Sequence, residues 1–206
     1  MRNYFSPASV FSGIVQSVGV VLSVKKNKGG KTCDIRTSLR RNYRPGESIL
    51  LSGICTTVVA AKNDVVRFFF MEETLEKTTA KSWTKGTRVN IEPALMVGQD
   101  LSGHMVTGHV DGMGIVKTIR KTGRTIRVAV SVPAALSRYV VSKGSIAIDG
   151  VSLTVVDTAR SQFSVALIPF TRGHTTFSAL KEKDSVNVEV DVLAKYVERL
   201  MKQSNP

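Results

Sequence analysis

The chain has 206 residues, 42% of them hydrophobic, and carries 29 Lys and Arg against 16 Asp and Glu, a formal net charge of +13. That is enough apolar material for one large core or two small ones. Two cysteines are too few for a disulfide framework or a zinc cluster, and no apolar run approaches the ~18 residues of a membrane span, so those classes are excluded. A chain with so few thiols suits a reducing, cytoplasmic compartment. The positive balance favours acidic partners. The basic residues are nonetheless spread along the chain without interleaved aromatics, so they read as a solvated surface, with no nucleic-acid or membrane partner.

The first ten residues, MRNYFSPASV, have one Arg and lack the apolar stretch of a secretory leader. Short strands then alternate with turns, which fall at KNKGGK (26–31), AKNDV (61–65), KTGR (121–124) and ARSQ (159–162). SLRRNY, closed by Pro45-Gly46, predicts a short helix, and AALSRYV predicts its counterpart. TIRVAVSV puts Ile126, Val128, Val130 and Val132 on one face of a strand. FSVAL does the same with Phe163, Val165 and Leu167, and SVNVEV with Val186, Val188 and Val190. In DVLAKYVERLMK the period becomes helical. Leu193, Tyr196, Val197 and Leu200 share a face, Asp191 is placed to cap, and Glu198 stands four before Lys202. That stripe packs either on its own barrel or against the same helix of other copies.

The text repeats. Ile49, Gly53, Thr57 and Val58-Val59 are answered by Ile146, Gly150, Thr154 and Val155-Val156, each 97 residues on. The offset persists for Thr74/Thr171, Val89-Asn90/Val186-Asn187 and Glu92/Glu189. SGIVQSVGVV (12–21) matches TGHVDGMGIV (107–116) at 95, so a two-residue insertion lies between. A period this long means two domain copies rather than a solenoid. The fold class is therefore all-β. Two tandem six-stranded antiparallel barrels cover 11–98 and 99–190, after an extension over 1–10, and 191–206 form a C-terminal helix and tail.

Within the repeated strands Cys55/Ser152 and Thr57/Thr154 share a face, beside Gly53/Gly150, where another backbone or a ligand could approach closely. His104 and His109 each follow a glycine, in GHMVTGHV; without a Cys or acidic cluster they do not form a zinc site. His174, in RGHTT, reads as a loop residue. No dinucleotide loop, P-loop or Ser-His-Asp order is visible.

FSGIVQSVG, MEETLEKTT, VNIEPALMVGQDLSGHMVTGHVDG, YVVSKGSIAIDGVSLTVV, LIPFTRGHTT and VNVEVDVLAKYVERL together resemble the riboflavin synthase family, alpha-chain type, over about residues 11 to 202. The resemblance implies two Greek-key barrels, a homotrimer joined through the C-terminal helices, and a dismutation. Two molecules of 6,7-dimethyl-8-ribityllumazine exchange a four-carbon unit, giving riboflavin and 5-amino-6-(D-ribitylamino)uracil without metal or redox cofactor. Each working site pairs the first barrel of one subunit with the second barrel of its neighbour, and lumazine synthase is a further possible associate. Duplication then follows from a reaction that consumes the same molecule twice, and Cys55 against Ser152 and Ile14 against His109 are the differences that separate the roles.

By the same resemblance Ser48, Cys55, His109, Asp149, Ser152 and Thr154 are the residues of the chemistry. Gly13, Ile14, Val15, Cys55, Thr56, Thr57 and the run Phe69, Phe70, Met71, Glu72, Glu73, Thr74 line the first pocket. Gly108, His109, Val110, Lys143, Ser152, Leu153, Thr154 and the run Leu167, Ile168, Pro169, Phe170, Thr171 line the second. Phe11 and His104 match further binding positions, and Asp191 an acidic position after the last strand. Departures from the family are Ser52, Thr56 and Ser102, and Val10 where an initiator Met is usual, from which residues 1–9 are expected to be absent from the cellular protein or disordered. The alternative is a non-catalytic lumazine- or flavin-binding relative. Such relatives lose the second pocket, whereas here Lys143, Asp149, Ser152, Thr154 and His109 are all present.

Overall fold

A computed structural model describes residues 9–203; apart from Ser9, the expectation for residues 1–9 falls outside them. The first half contains β1 (Ser17–Asn27), β2 (Gly30–Arg36), β3 (Ser48–Leu51), β4 (Ile54–Lys62), β5 (Val65–Met71) and β6 (Arg88–Pro93), closed in the order β1-β2-β5-β4-β3-β6. The second contains β7 (Gly112–Thr122), β8 (Thr125–Ser131), β9 (Ser145–Ile148), β10 (Val151–Ala159), β11 (Gln162–Leu167) and β12 (Ser185–Val190), closed as β7-β8-β11-β10-β9-β12. All pairings are antiparallel, and closure leaves neither sheet a free edge. Strand β5 crosses back to pair with β2 while β6 closes on β1, which makes each ring a Greek key.

The alternation read in the sequence is the inside–outside pattern of the walls. Val128, Val130, Phe163, Val165, Val186 and Val188 fill the second core; Ile35, Ile49, Phe68, Phe70 and Ile91 fill the first. Each such fully buried side chain is worth roughly 1.5–3 kcal/mol. The hairpin turns fall where Gly, Asn and Ser were expected, with positive φ at Gly29, Asn63, Gly123 and Ser161.

Three local expectations need correction. SLRRNY is not helical: Thr37 Oγ1 accepts the Leu39 amide and bonds Tyr43 Oη, and that side-chain pairing competes with a helical turn. Its counterpart does form a short helix, α2 (Ala134–Ser137), in a β8–β9 connection two residues longer than the β2–β3 connection, which is where the insertion lies. Unforeseen helices follow β5 and β11. These are α1 (Glu72–Lys77) and α3 (Pro169–His174), each continued by a 3-10 turn whose first amides are capped by Thr78 and Thr175. His174 therefore ends a helix, stacked on Phe170 at 4.0 Å, rather than standing in a loop.

Between the barrels lies a pseudo-symmetric seam. A Cβ on Gly53 would stand 2.8 Å from the Gly150 amide nitrogen, and one on Gly150 2.7 Å from that of Gly53, both residues having positive φ. The close neighbour anticipated at these glycines is thus the other half's backbone. Asn90 Nδ2 donates to the Asp149 carbonyl and Asn187 Nδ2 to that of Ser52, while their Oδ1 atoms accept the Thr176 and Thr79 amides. Phe11 and Val106 form an antiparallel bridge, packing with Leu50 and Ala147 into a third small core.

The last element, α4 (Val192–Gln203), is capped by Asp191, whose Oδ1 accepts the Leu193 amide. It is held to its own barrel by polar contacts. Lys195 pairs with Asp111 at 2.6 Å, and Glu198 receives Tyr139 Oη and Arg138. Leu193, Tyr196, Val197 and Leu200 remain 56–64% exposed, so the apolar stripe does not pack on its own barrel.

Candidate functional site

Strand alternation decides which predicted residues face outward. On β4 and β5, Cys55, Thr57, Phe69 and Met71 lie on the outer wall, and Thr74 follows on α1. On β10 and beyond β11, Ser152, Thr154 and Ile168 are their counterparts, with Phe170 and Thr171 on α3. Thr56, Phe70, Leu153 and Leu167, one residue out of phase, turn into the cores; Thr56 Oγ1 donates to the Ile49 carbonyl. These four line no outer face. Glu72, Glu73 and Pro169 are exposed on the helices beyond the strands, and Glu73 pairs with Lys77.

Each outer wall is bordered by a strap from the other half. Residues 12–14 run between β6 and β10. Glu92 accepts the Ser12 amide and hydroxyl at 2.7 and 2.8 Å and the Gly13 amide at 3.0 Å, while the Gly13 carbonyl accepts the Ser152 amide at 2.7 Å. Residues 107–109 mirror this. Glu189 accepts the Thr107 amide and hydroxyl and the Gly108 amide, and the Gly108 carbonyl accepts the Cys55 amide at 2.9 Å. The glycines are required, because a Cβ on Gly13 would meet Ser152 Cβ at 2.6 Å and one on Gly108 would meet Cys55 Cβ at 2.5 Å.

The expected grouping is therefore crossed. Gly13 and Ile14 border Ser152, and Gly108 and His109 border Cys55, because the straps exchange across the seam. Val15 packs on the second core and Val110 on the first, in keeping with the exchange. Phe11, at the root of the first strap, is fully buried and lines no open wall.

The two walls differ in chemistry. At the first, burial pushes the Cys55 thiol up and a hydrogen bond with Ser48 pulls the other way, so Cys55 is a protonated thiol; the exposed His109 follows Gly108, whose carbonyl accepts the Cys55 amide. At the second, Ser152 Oγ lies 2.7 Å from His104 Nδ1. Burial lowers the pKa of His104, so this ring is neutral, and its Nε2 is buried without a partner among the described residues. A neutral imidazole fixes the Ser152 hydroxyl in either tautomer.

Asp149 and Lys143 stand in the turns that flank β9. Asp149, at φ +45 in the β9–β10 turn, accepts the Asn187 amide at 2.8 Å, and burial pushes its carboxyl up to about 7. It braces the seam. Lys143, at φ +68, presents an exposed side chain where the β9 turn meets β10, its amide donating to the Val155 carbonyl. A cleft of about 540 Å³ adjoins Ile14, lined also by Arg41, Glu92 and the 93–102 connection. No group of three His, Cys, Asp or Glu suited to a metal occurs among the described residues.

The strap-holding glutamates were missed as functional groups. Their signal was present: an acidic residue repeats at the same place in two mostly apolar strands, VNIEP and VNVEV. Burial raises the pKa of both, and the donated hydrogen bonds oppose that rise.

Both halves of the chain match known proteins. Residues 12–94 and 107–191 each match the lumazine binding domain family. The chain is 38% identical over 201 residues to riboflavin synthase of Brucella abortus (strain 2308), covering 93% of this chain and 98% of the relative. It is 39% identical over 200 residues to riboflavin synthase of Mycobacterium tuberculosis (strain ATCC 25618 / H37Rv), covering 95% and 100%. The structure of LumP complexed with 6,7-dimethyl-8-(1'-D-ribityl) lumazine superposes with a TM-score of 0.77 at 25% identity, over 87% of this chain and 98% of LumP. With two lumazine-binding repeats and near full-length likeness to these enzymes, the chain belongs to the riboflavin synthase family.

Proposed function

We propose that each outer wall holds one 6,7-dimethyl-8-ribityllumazine, and that a four-carbon unit passes between the two molecules to give riboflavin and 5-amino-6-(D-ribitylamino)uracil. Family membership makes the chain an enzyme of riboflavin synthesis. The observation that carries the two-site reading is the strap exchange, which equips both halves with an outer wall but with different groups: Cys55, Thr57 and His109 on one, Ser152, Thr154 and Ile14 on the other.

The chemistry needs a proton taken from the C7 methyl of one lumazine and a nucleophile added at C7 of the other. The ring itself stabilises the carbanion, so positioned hydrogen-bonding groups suffice. Ser152, fixed by His104, suits addition or proton relay on the second wall. On the first, His109 and the protonated Cys55 suit ring binding and proton exchange. Holding both rings together converts a bimolecular encounter into a local one, worth about 7–11 kcal/mol.

Both walls are open: Thr57, Phe69, Thr154 and Phe170 are exposed. A second copy supplies the missing cover in this reading, the first wall of one subunit facing the second wall of its neighbour in a homotrimer. The bare stripe on α4 supports such assembly. The compartment is the cytoplasm. Association with lumazine synthase adds nothing to the chemistry and is not required by it.

Incubation of the purified chain with the lumazine alone tests the activity. One riboflavin and one pyrimidine should appear for every two lumazines consumed. Stoichiometric binding without riboflavin would instead favour the non-catalytic carrier.

A further inference from the structure

The outer wall of the second barrel carries a feature that lumazine binding does not use. Arg120 on β7 and Arg127 on β8 are direct cross-strand partners. Their neighbours Ile119, Ile126 and Val128 pack on the core, which puts both arginines on the solvent side. Like charges directly opposite each other on one face of a strand pair are destabilising. Folding gives no reason for them: the corresponding pair in the first barrel is Lys25 and Thr32, a single charge.

The two guanidiniums border a cavity of about 220 Å³ where β7, β8, β10 and β11 meet, with Thr118, Thr158 and Gln162 also in its lining. Arg127 is held in place by Ser164, whose Oγ accepts from Nε at 3.1 Å and Nη2 at 3.0 Å. Asp157 reaches Arg127 at 3.4 Å in an exposed pair, which is worth little. Arg120 has no carboxylate partner among the described residues. Asp157 also lines the cavity, the Glu182 carboxylate accepts the Ile119 amide, and Lys121, Arg124 and Arg160 add positive charge at the adjoining turns. The first barrel cancels its charge at the equivalent place. Asp34 and Arg67, standing where Ala129 and Ser164 stand in the second, form a two-pronged pair at 2.7 and 3.1 Å.

We propose that the Arg120–Arg127 cavity is a phosphate-binding site, taking inorganic phosphate or a phosphomonoester. The guanidinium fork of Arg120 and the Nη1 donors of Arg127, whose Nε and Nη2 are held by Ser164 and Asp157, suit the tetrahedral oxygens of such an anion, and the hydroxyls and amide of the lining supply further donors. Asp157 lies three residues beyond Thr154 along β10, about 10 Å at ~3.3 Å per residue. A phosphate at the end of the ribityl chain of a flavin on the second wall is therefore within reach. This ligand-borne form rests on the proposed use of that wall, whereas the anion site does not.

The test titrates inorganic phosphate, riboflavin and flavin mononucleotide into the full chain and into Arg120→Gln, at low salt and without other anions. The site predicts phosphate binding that weakens about tenfold or more in the variant, one charge-assisted contact being lost. It also predicts that phosphate raises the Tm of the parent but not of the variant, with lumazine turnover unchanged in phosphate-free buffer. A preference for flavin mononucleotide over riboflavin that disappears in Arg120→Gln identifies the ligand-borne phosphate. Phosphate binding with equal flavin affinities identifies a free anion. Phosphate binding with no flavin binding keeps the anion site and removes a flavin from the second wall. Equal affinity of parent and variant for phosphate and for flavin mononucleotide overturns the proposal.

Discussion

The two barrels share strand order, turn positions and the inward phase of their apolar residues, and differ where their outer walls meet the exchanged straps. Cys55 supported by the Ser48 hydroxyl stands against Ser152 supported by the His104 imidazole, and His109 stands against Ile14. Interiors are close-packed, and a change of one methylene is felt there. An outer wall tolerates a new functional group at little cost to packing. The cores have diverged as well, Cys33, Phe68 and Ala80 being answered by Val128, Val165 and Phe177, but there one apolar residue replaces another within a packed interior, whereas the walls exchange functional groups, so that the two berths differ in chemistry. Each strap is anchored through a buried glutamate on one barrel and lies on the other, so each wall is bordered by residues of both halves.

The largest effect is predicted at the shared seam. Gly150→Val puts a branched side chain at φ +75, with its Cβ 2.7 Å from the Gly53 backbone. It should cost more than ~3 kcal/mol through strain and overpacking and loosen both barrels together, read as one lowered urea midpoint. Gly173→Ala, where nothing lies within 4 Å of the added Cβ and φ is not positive, is the control and should be close to neutral. Two separate transitions in Gly150→Val would show that the halves do not depend on the seam.

The next effect separates the walls. Ser152→Ala should lower kcat about 100-fold, within the usual range for a group that moves or positions a proton, with little change in KM. Cys55→Ala should cost about tenfold or less, since a thiol kept protonated by burial contributes shape and a weak hydrogen bond. Equal losses from both, measured in single turnover, would abolish the chemical distinction drawn between them.

The smallest effect concerns Asp149, which the family resemblance placed in the chemistry and which lies at the seam. Burial raises its folded pKa to about 7. Its contribution to stability is thus fully present below its unfolded value of about 3.9 and is lost as pH rises through about 7. Asp149→Asn keeps an oxygen for the Asn187 amide and tolerates the left-handed backbone, and it removes that loss. The Tm of the variant should fall less than that of the parent between about pH 5 and about pH 8, with kcat within about threefold. A kcat loss of 100-fold would return Asp149 to the chemistry.

Much of the fold was legible because period-two apolar patterns and a fixed offset are properties of the sequence alone. TIRVAVSV and FSVAL buried the predicted faces, and the 95-to-97 slip marked the longer β8–β9 connection. SLRRNY misled because its composition suits a helix while the Thr37 hydroxyl takes the Leu39 amide. Thr56, Phe70, Leu153 and Leu167 entered the candidate site as members of contiguous runs, and alternation, applied strictly, would have removed them. The strap exchange was out of reach. Offset equates Gly13 with Gly108 but does not say which barrel each segment covers. His104 at Ser152 likewise depends on tertiary placement that no spacing encodes.

The most direct test of the two-berth account is the number of lumazines bound per chain when turnover is blocked. Equilibrium titration of Ser152→Ala with the lumazine should reach two per chain, in two phases of different affinity, because the walls present different groups. Saturation at one per chain, in an assembled and folded protein, would contradict it.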